Sequence, residues 1–236
     1  MKIVGLQKLT LLDFPGKVAC TVFLGGCNFR CPFCHNSDLL DGTAEALMDE
    51  AAFLDFLKKR TGLLDAVCVS GGEPTLQPDL PHFLKSIKEQ GFLVKLDTNG
   101  YRPEVLQSLV EAGLVDYVAM DVKNGPSHYG ATTGHSGIVL DRITQSLRFL
   151  IASDVPYELR TTIVNELHSE ASILEMGQWL FSLAAPNKPT QLYLQCFTDR
   201  ESVLLQGLHA PQRETLDAYL KILEPYIDHV ALRGVS

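Results

Sequence analysis

Three cysteines stand within eight residues, in the run Cys27-Asn28-Phe29-Arg30-Cys31-Pro32-Phe33-Cys34, and His35 follows directly. Thiolates are soft ligands that suit iron-sulfur clusters and zinc alike. A four-iron cube has four corners, so three protein thiolates would leave one iron open to a small molecule. The rival is a closed tetrahedral Cys3His zinc site with His35 as its fourth ligand. From the cysteine spacing alone both readings stand. Cys20, Cys68 and Cys196 lack such spacing and read as small buried hydrophobes.

Further polar clusters each end an apolar, strand-like run. The cysteine loop, residues 25–36, follows a strand predicted over 18–24. Ser70-Gly71-Gly72-Glu73-Pro74 follows one over 66–70, and Asp97-Thr98-Asn99-Gly100 ends one over 93–97. Asp121-Val122-Lys123-Asn124 ends a strand over 117–121, Arg160-Thr161-Thr162 one over 157–162, and Gln195-Cys196-Phe197 one over 192–196. Helical periods lie between them. They cover 47–59, 79–89 with Asp79 as N-cap, a segment opened by Pro103, Ile143 to Ile151, a segment capped by Ser169 that runs through Phe181, and Leu216 to Leu223. Val230 to Leu232 reads as a short final strand.

Strand-helix alternation at this pitch implies βαβ units and a parallel sheet. An eight-unit barrel takes about 250 residues. The 236 residues here suit six units and a short N-terminal strand. The expectation is an α/β chain folded as an incomplete, open (β/α)6 TIM-like barrel with parallel strands, a single domain over 1–236. All six polar clusters would then lie on the C-terminal rim, where such folds place their active sites. The stretch 124–137, rich in Gly, Ser, Thr and His, is expected to be a mobile loop, and 197–209 a long connection.

Composition narrows the classes. Hydrophobic residues make up 46% and charged residues 20%, the balance of a soluble globular protein. A net charge of -8 argues against nucleic acid or an anionic membrane as partner. No apolar run is long enough to span a bilayer, and the N-terminus has no signal-peptide layout, so a cytoplasmic location is expected. Three thiols in one short loop fit a metal site in a reducing compartment better than a disulfide framework.

The segments Gly5-Leu6-Gln7-Lys8, Asp13-Phe14-Pro15-Gly16-Lys17 and Phe23-Leu24-Gly25-Gly26-Cys27 through Asn36 resemble the radical S-adenosylmethionine (SAM) enzymes. The GGEP, DTNG, D-x-K and R-T-T-I-V segments extend the resemblance over most of the chain. More narrowly, the chain is similar to the activating enzymes of glycyl radical enzymes, and most of all to those of anaerobic ribonucleoside-triphosphate reductases. The resemblance implies that Cys27, Cys31 and Cys34 hold a single [4Fe-4S] cluster whose fourth iron takes SAM. It implies that Phe33 flanks the adenine and that His35 donates a hydrogen bond near the cluster or SAM, with a surface role as the alternative. Gly71 and Gly72 would contact the methionine amino group, with the Glu73 carboxylate nearby. Thr98 and Asn99 belong to the same cofactor-binding set. Lys123 would pair with the SAM carboxylate. Arg160 would either bind SAM or support the rim by ion pairing. Asp97 and Asp121 would share a monovalent cation, with strand-end capping as the alternative for Asp97. The histidine that many relatives place after the sixth strand is missing from Leu194-Gln195-Cys196-Phe197.

The implied partners are a glycyl radical enzyme, above all anaerobic ribonucleotide reductase, and a small electron donor such as flavodoxin or ferredoxin. Three rival functions are a radical SAM enzyme with a small-molecule substrate, an activator of another glycyl radical enzyme such as pyruvate formate-lyase, and a zinc-binding module.

Overall fold

Residues 1–234, which the computed structural model describes, form two compact units. The first comprises Met1–Asn28 with Asp38–Ala119, and the second Phe29–Ser37 with the chain from Met120 onward.

In the first unit, β1 (Lys2–Thr10) pairs antiparallel with β2 (Ala19–Leu24) and with the short β3 (Met48–Asp49). Strand β2 then pairs parallel with β4 (Ala66–Gly71), and β4 with β5 (Leu93–Thr98). Cys20, Val22, Leu24 and the run Ala66 to Val69 are wholly buried. Strands buried on both faces read as continuous apolar runs, and each Val or Leu so buried contributes roughly 1.5–3 kcal/mol. Helices α1 (Glu50–Lys58), α2 (Leu80–Glu89) and α3 (Pro103–Glu111) follow β3, β4 and β5. Helix α1 starts later than the predicted 47 because Met48 and Asp49 form β3, and Asp49 then caps the helix by accepting from Ala52 N at 2.9 Å. Asp79 precedes α2 but makes no side-chain cap bond.

The division between the units falls within β6 (Tyr117–Asp121). In the second unit β7 (Tyr157–Ile163), β8 (Gln191–Cys196) and β9 (His229–Arg233) pair parallel in that order. Helices α4 (Tyr129–Thr133), α5 (Leu140–Ala152), α6 (Glu170–Ala184) and α7 (Arg213–Leu223) complete it. Ser169 caps α6 as predicted, in a reciprocal box with Ser172. Among the described residues β3 pairs only with β1 and β9 only with β8, so the sheet is open. The expected six strand-helix repeats are present, from β2 to α7.

The predicted mobile loop over 124–137 is a correction. A short turn over Pro126–His128 and then α4 occupy it. Tyr129 is fully buried and meets Trp179 edge-on at 6.0 Å. Asn124 is also fully buried, and its Nδ2 donates to Thr132 Oγ1 at 2.9 Å and to Leu167 O at 2.8 Å. Tertiary burial of these two side chains overrides a composition that reads as loop.

Candidate active site

In the first unit the cysteine loop begins against the turn after β4. Gly72 N donates to Leu24 O and Glu73 N to Gly26 O, each at 2.8 Å. A Cβ on Gly72 would lie 2.1 Å from Gly26 O, and one on Gly71 2.2 Å from Leu24 O. Gly71 also has φ +121°. Only glycine permits this backbone-to-backbone approach. Cys27 N donates to Leu40 O at 3.0 Å, which anchors the first thiol.

Glu73 faces inward and is 1% exposed. Its Oε1 accepts from Thr75 N at 3.1 Å, from the Thr75 hydroxyl and from Thr98 Oγ1 at 2.7 Å; its Oε2 accepts from Asn99 N at 2.6 Å. Burial pushes its pKa up, while these donors pull it back. The carboxylate therefore bolts the turn after β4 to the end of β5. Asn99 in turn donates through Nδ2 to Asn28 Oδ1 at 2.9 Å, with Cys27 Sγ at 4.0 Å. Asp97 is neutralised by Lys95, Nζ to Oδ1 at 2.5 Å, and Lys95 is itself buried.

In the second unit, the rest of the cysteine loop is clipped at both ends. Arg30 N donates to Thr133 O at 2.9 Å, and Phe29 meets His135 edge-on at 6.3 Å. At the other end the connection after β8 takes over. Leu205 N donates to Pro32 O at 2.9 Å, Ser37 Oγ to Ser202 O at 2.5 Å, and His35 Nε2 to Thr198 O at 2.7 Å. The His35 ring stacks on the buried Phe197 at 5.6 Å. Phe197 lies in the segment where the family's histidine was missed.

Gly134 makes the first clip possible. Its φ is +62°, and an added Cβ would sit 2.2 Å from Arg30 O. Gly134→Ala carries a left-handed penalty of about 1–2 kcal/mol as well as this clash. The melting temperature is expected to fall by about 5 °C, at roughly 2–4 °C per kcal/mol. Iron retained after anaerobic reconstitution should fall with it, as measured by iron per chain.

Lys123, Asp121 and Arg160 form one charged knot in the second unit. Asp121 Oδ2 accepts from Lys123 Nζ at 2.9 Å, and its Oδ1 from Arg160 Nε at 3.0 Å. Burial alone would raise the Asp121 pKa, but the two cations outweigh it and hold the carboxyl at about 2. Burial alone would lower the Lys123 pKa, and Asp121 more than offsets it, so the ammonium stays charged. Lys123 Nζ also stands 5.9 Å over the Phe33 ring. Arg160 thus makes the ion pair that was one of its two predicted roles. Asp97 and Asp121, predicted to share a monovalent cation, are each partnered by a cationic side chain of the protein.

Among the described residues no three His, Cys, Asp or Glu side chains are gathered as for a metal ion, and it is the chemistry of the donors that fits an iron-sulfur cluster. Cys27, Cys31 and Cys34 form no disulfide. Asn28 Nδ2, next to Cys27, is buried with no hydrogen-bond partner among the described residues. Such a donor calls for an acceptor, and cluster sulfides accept hydrogen bonds. His35 donates through Nε2 to Thr198 O and stacks its ring on Phe197. Sequence reasoning missed Asn28, Asn124, Gly134 and His168, none of which carries a spacing signal.

The profile described as the radical SAM superfamily matches residues 21–176. The chain belongs to this superfamily. Radical SAM proteins work with a [4Fe-4S] cluster and SAM. A candidate glycyl-radical enzyme activating enzyme of Methanocaldococcus jannaschii is 32% identical over 241 residues, 98% of this chain and 95% of the relative. The pyruvate formate-lyase-activating enzyme of Streptococcus mutans is 30% identical over 203 residues, 77% of this chain and 74% of that one. This radical SAM protein is thereby a member of the glycyl-radical enzyme activating enzymes. Its fold is also that of Streptococcus suis SuiB bound to SAM, with a TM-score of 0.65 at 12% identity, covering 91% of this chain and 52% of SuiB. The radical SAM chain thus spans about half the length of that structure.

Proposed function

We propose that this radical SAM enzyme cleaves SAM reductively and installs a glycyl radical on anaerobic (class III) ribonucleoside-triphosphate reductase. The observation that supports the activating-enzyme part of this reading is the near full-length similarity to an activating enzyme, 98% of this chain, with the three-cysteine loop inside the matched profile. When bound, the cluster supplies the electron that splits the sulfonium into methionine and a 5′-deoxyadenosyl group able to take one hydrogen atom from a glycine Cα. The chain supplies binding, orientation and exclusion of water.

In this reading Cys27, Cys31 and Cys34 hold three irons and leave the fourth for SAM. The Gly71-Gly72 backbone receives the methionine amino group. Glu73, Thr98 and Asn99 keep that turn in place. Lys123 pairs with the SAM carboxylate, as a flexible ammonium suits that task. Phe33 flanks the adenine and His35 steadies the loop. Arg160 acts through Asp121. Asp97 and Asp121 already have protein cations, so no monovalent cation enters the proposal. Flavodoxin or ferredoxin is the proposed reductant. No helix among the described residues is long and apolar enough to cross a membrane, which is consistent with the proposed cytoplasmic location.

The N-terminal segments quoted above favour the reductase as partner. The similarity to the Streptococcus mutans protein favours a second reading, activation of pyruvate formate-lyase. Anaerobic mixing of reduced enzyme and SAM with each candidate partner separates the two. A glycyl radical doublet in electron paramagnetic resonance is expected with the reductase. A doublet with pyruvate formate-lyase alone transfers the assignment to that partner, and silence with both, despite SAM cleavage, defeats the reading.

A further inference from the structure

His168 is 5% exposed and lies in the turn between β7 and α6. Its Nδ1 is 3.1 Å from Val164 N, and its Nε2 is 2.9 Å from Lys123 O. A carbonyl oxygen can only accept, so Nε2 carries the proton that goes to Lys123 O, while Nδ1, which also lies 3.2 Å from Val164 O, can accept from Val164 N or donate to Val164 O. One neutral tautomer satisfies both neighbours. Burial lowers the His168 pKa and so favours that neutral form. Tyr219 of α7 donates its hydroxyl to His168 O at 3.0 Å and fixes the residue from behind.

The same turn grips the neighbouring residue, since Asn124 Nδ2 donates to Leu167 O at 2.8 Å. On the strand side, Val122 N donates to Arg160 O at 2.8 Å. Lys123 is therefore flanked by two pinned residues, and its own carbonyl is pinned by the imidazole. A long ammonium side chain has many rotamers, and a fixed backbone limits where it can reach.

We propose that His168 is a positioning residue whose imidazole, by holding the Lys123 carbonyl, aims the Lys123 ammonium at the carboxylate of SAM. The inference rests on the reading above in which Lys123 takes that carboxylate. A histidine that merely fills the core would support all parts of the SAM site equally. A positioning residue should matter most for the carboxylate.

The test uses anaerobically reconstituted holoenzyme and two probes, SAM and decarboxylated SAM. Dissociation constants are measured for wild type, His168→Ala, His168→Gln and Lys123→Ala, alongside iron per chain. His168→Ala is expected to keep its iron and to lose about tenfold of the preference for SAM over the decarboxylated probe, the scale of one charge-assisted hydrogen bond. His168→Gln, whose amide can donate to Lys123 O, should recover the preference to within about threefold of wild type. Equal weakening of both probes in His168→Ala overturns the proposal, as does an unchanged preference. If His168→Ala does not fold, His168→Gln decides, and a tenfold loss of preference there overturns the proposal. Lys123→Ala separates the two levels. If it leaves the preference intact, the assignment of Lys123 to the carboxylate fails; if it loses the preference while His168→Ala keeps it, only the positioning role fails.

Discussion

Alanine at Cys27, Cys31 or Cys34 is expected to reduce SAM cleavage to the level of a protein-free control. A three-thiolate cluster has no spare ligand, so each loss removes one corner of the cube. Iron per chain should fall well below four, and the brown colour of anaerobically purified protein should fade. Cys68→Ala is the matched control. Cys68 lies on β4 with no exposure, and burial pushes its thiol up to about 12, so it is a neutral packing group. Its replacement should cost roughly 1 kcal/mol of stability and leave both iron and cleavage intact. Loss of iron from Cys68→Ala equal to that from Cys27→Ala would show that the ligands are misassigned.

Glu73→Ala is expected to give the second large effect. It strips the shared acceptor from four donors on Thr75, Thr98 and Asn99. Buried donors left unsatisfied cost about 1–3 kcal/mol each before relaxation. A net loss of about 3 kcal/mol is expected, a fall of roughly 10 °C in melting temperature. SAM binding should weaken with it, because the Gly71-Gly72 turn loses its bolt. Glu73→Gln distinguishes this lock from direct contact with SAM. The glutamine oxygen can still accept from Asn99 N and its amide can donate to the threonine hydroxyl oxygens, but Thr75 N and the two hydroxyl protons lose the acceptor Oε1. Calorimetry should find Glu73→Gln between wild type and Glu73→Ala, with SAM affinity tracking stability. A Glu73→Gln enzyme of native stability that has lost SAM binding would instead place the carboxylate on the ligand.

The strand-helix order was legible because β2 and β4 are buried on both faces, which writes them as unbroken apolar runs. The cysteine loop, the two glycines at the end of β4 and the D-x-K pair were legible because close spacing in the chain carries their chemistry. What stayed hidden depends on distance across the fold. Nothing local marks Glu73 as reaching Thr98 and Asn99, or His168 as reaching Lys123 O. Residues 124–137 read as a loop because glycine and threonine are poor helix formers, and only the burial of Tyr129 and Asn124 turns part of the segment into α4. The ion pairs of Asp97 with Lys95 and of Asp121 with Arg160 were likewise not legible, since nothing in the sequence marks those partners.

The connection after β8 meets the cysteine loop through Thr198 O, Ser202 O and Leu205 N, three main-chain atoms. Main-chain atoms are common to nearly every residue type. Mutation can therefore rewrite the exposed Asp199, Arg200, Glu201 and Leu204 while these three attachments persist. Gene duplicates could drift apart in this stretch without disturbing the thiols that it braces.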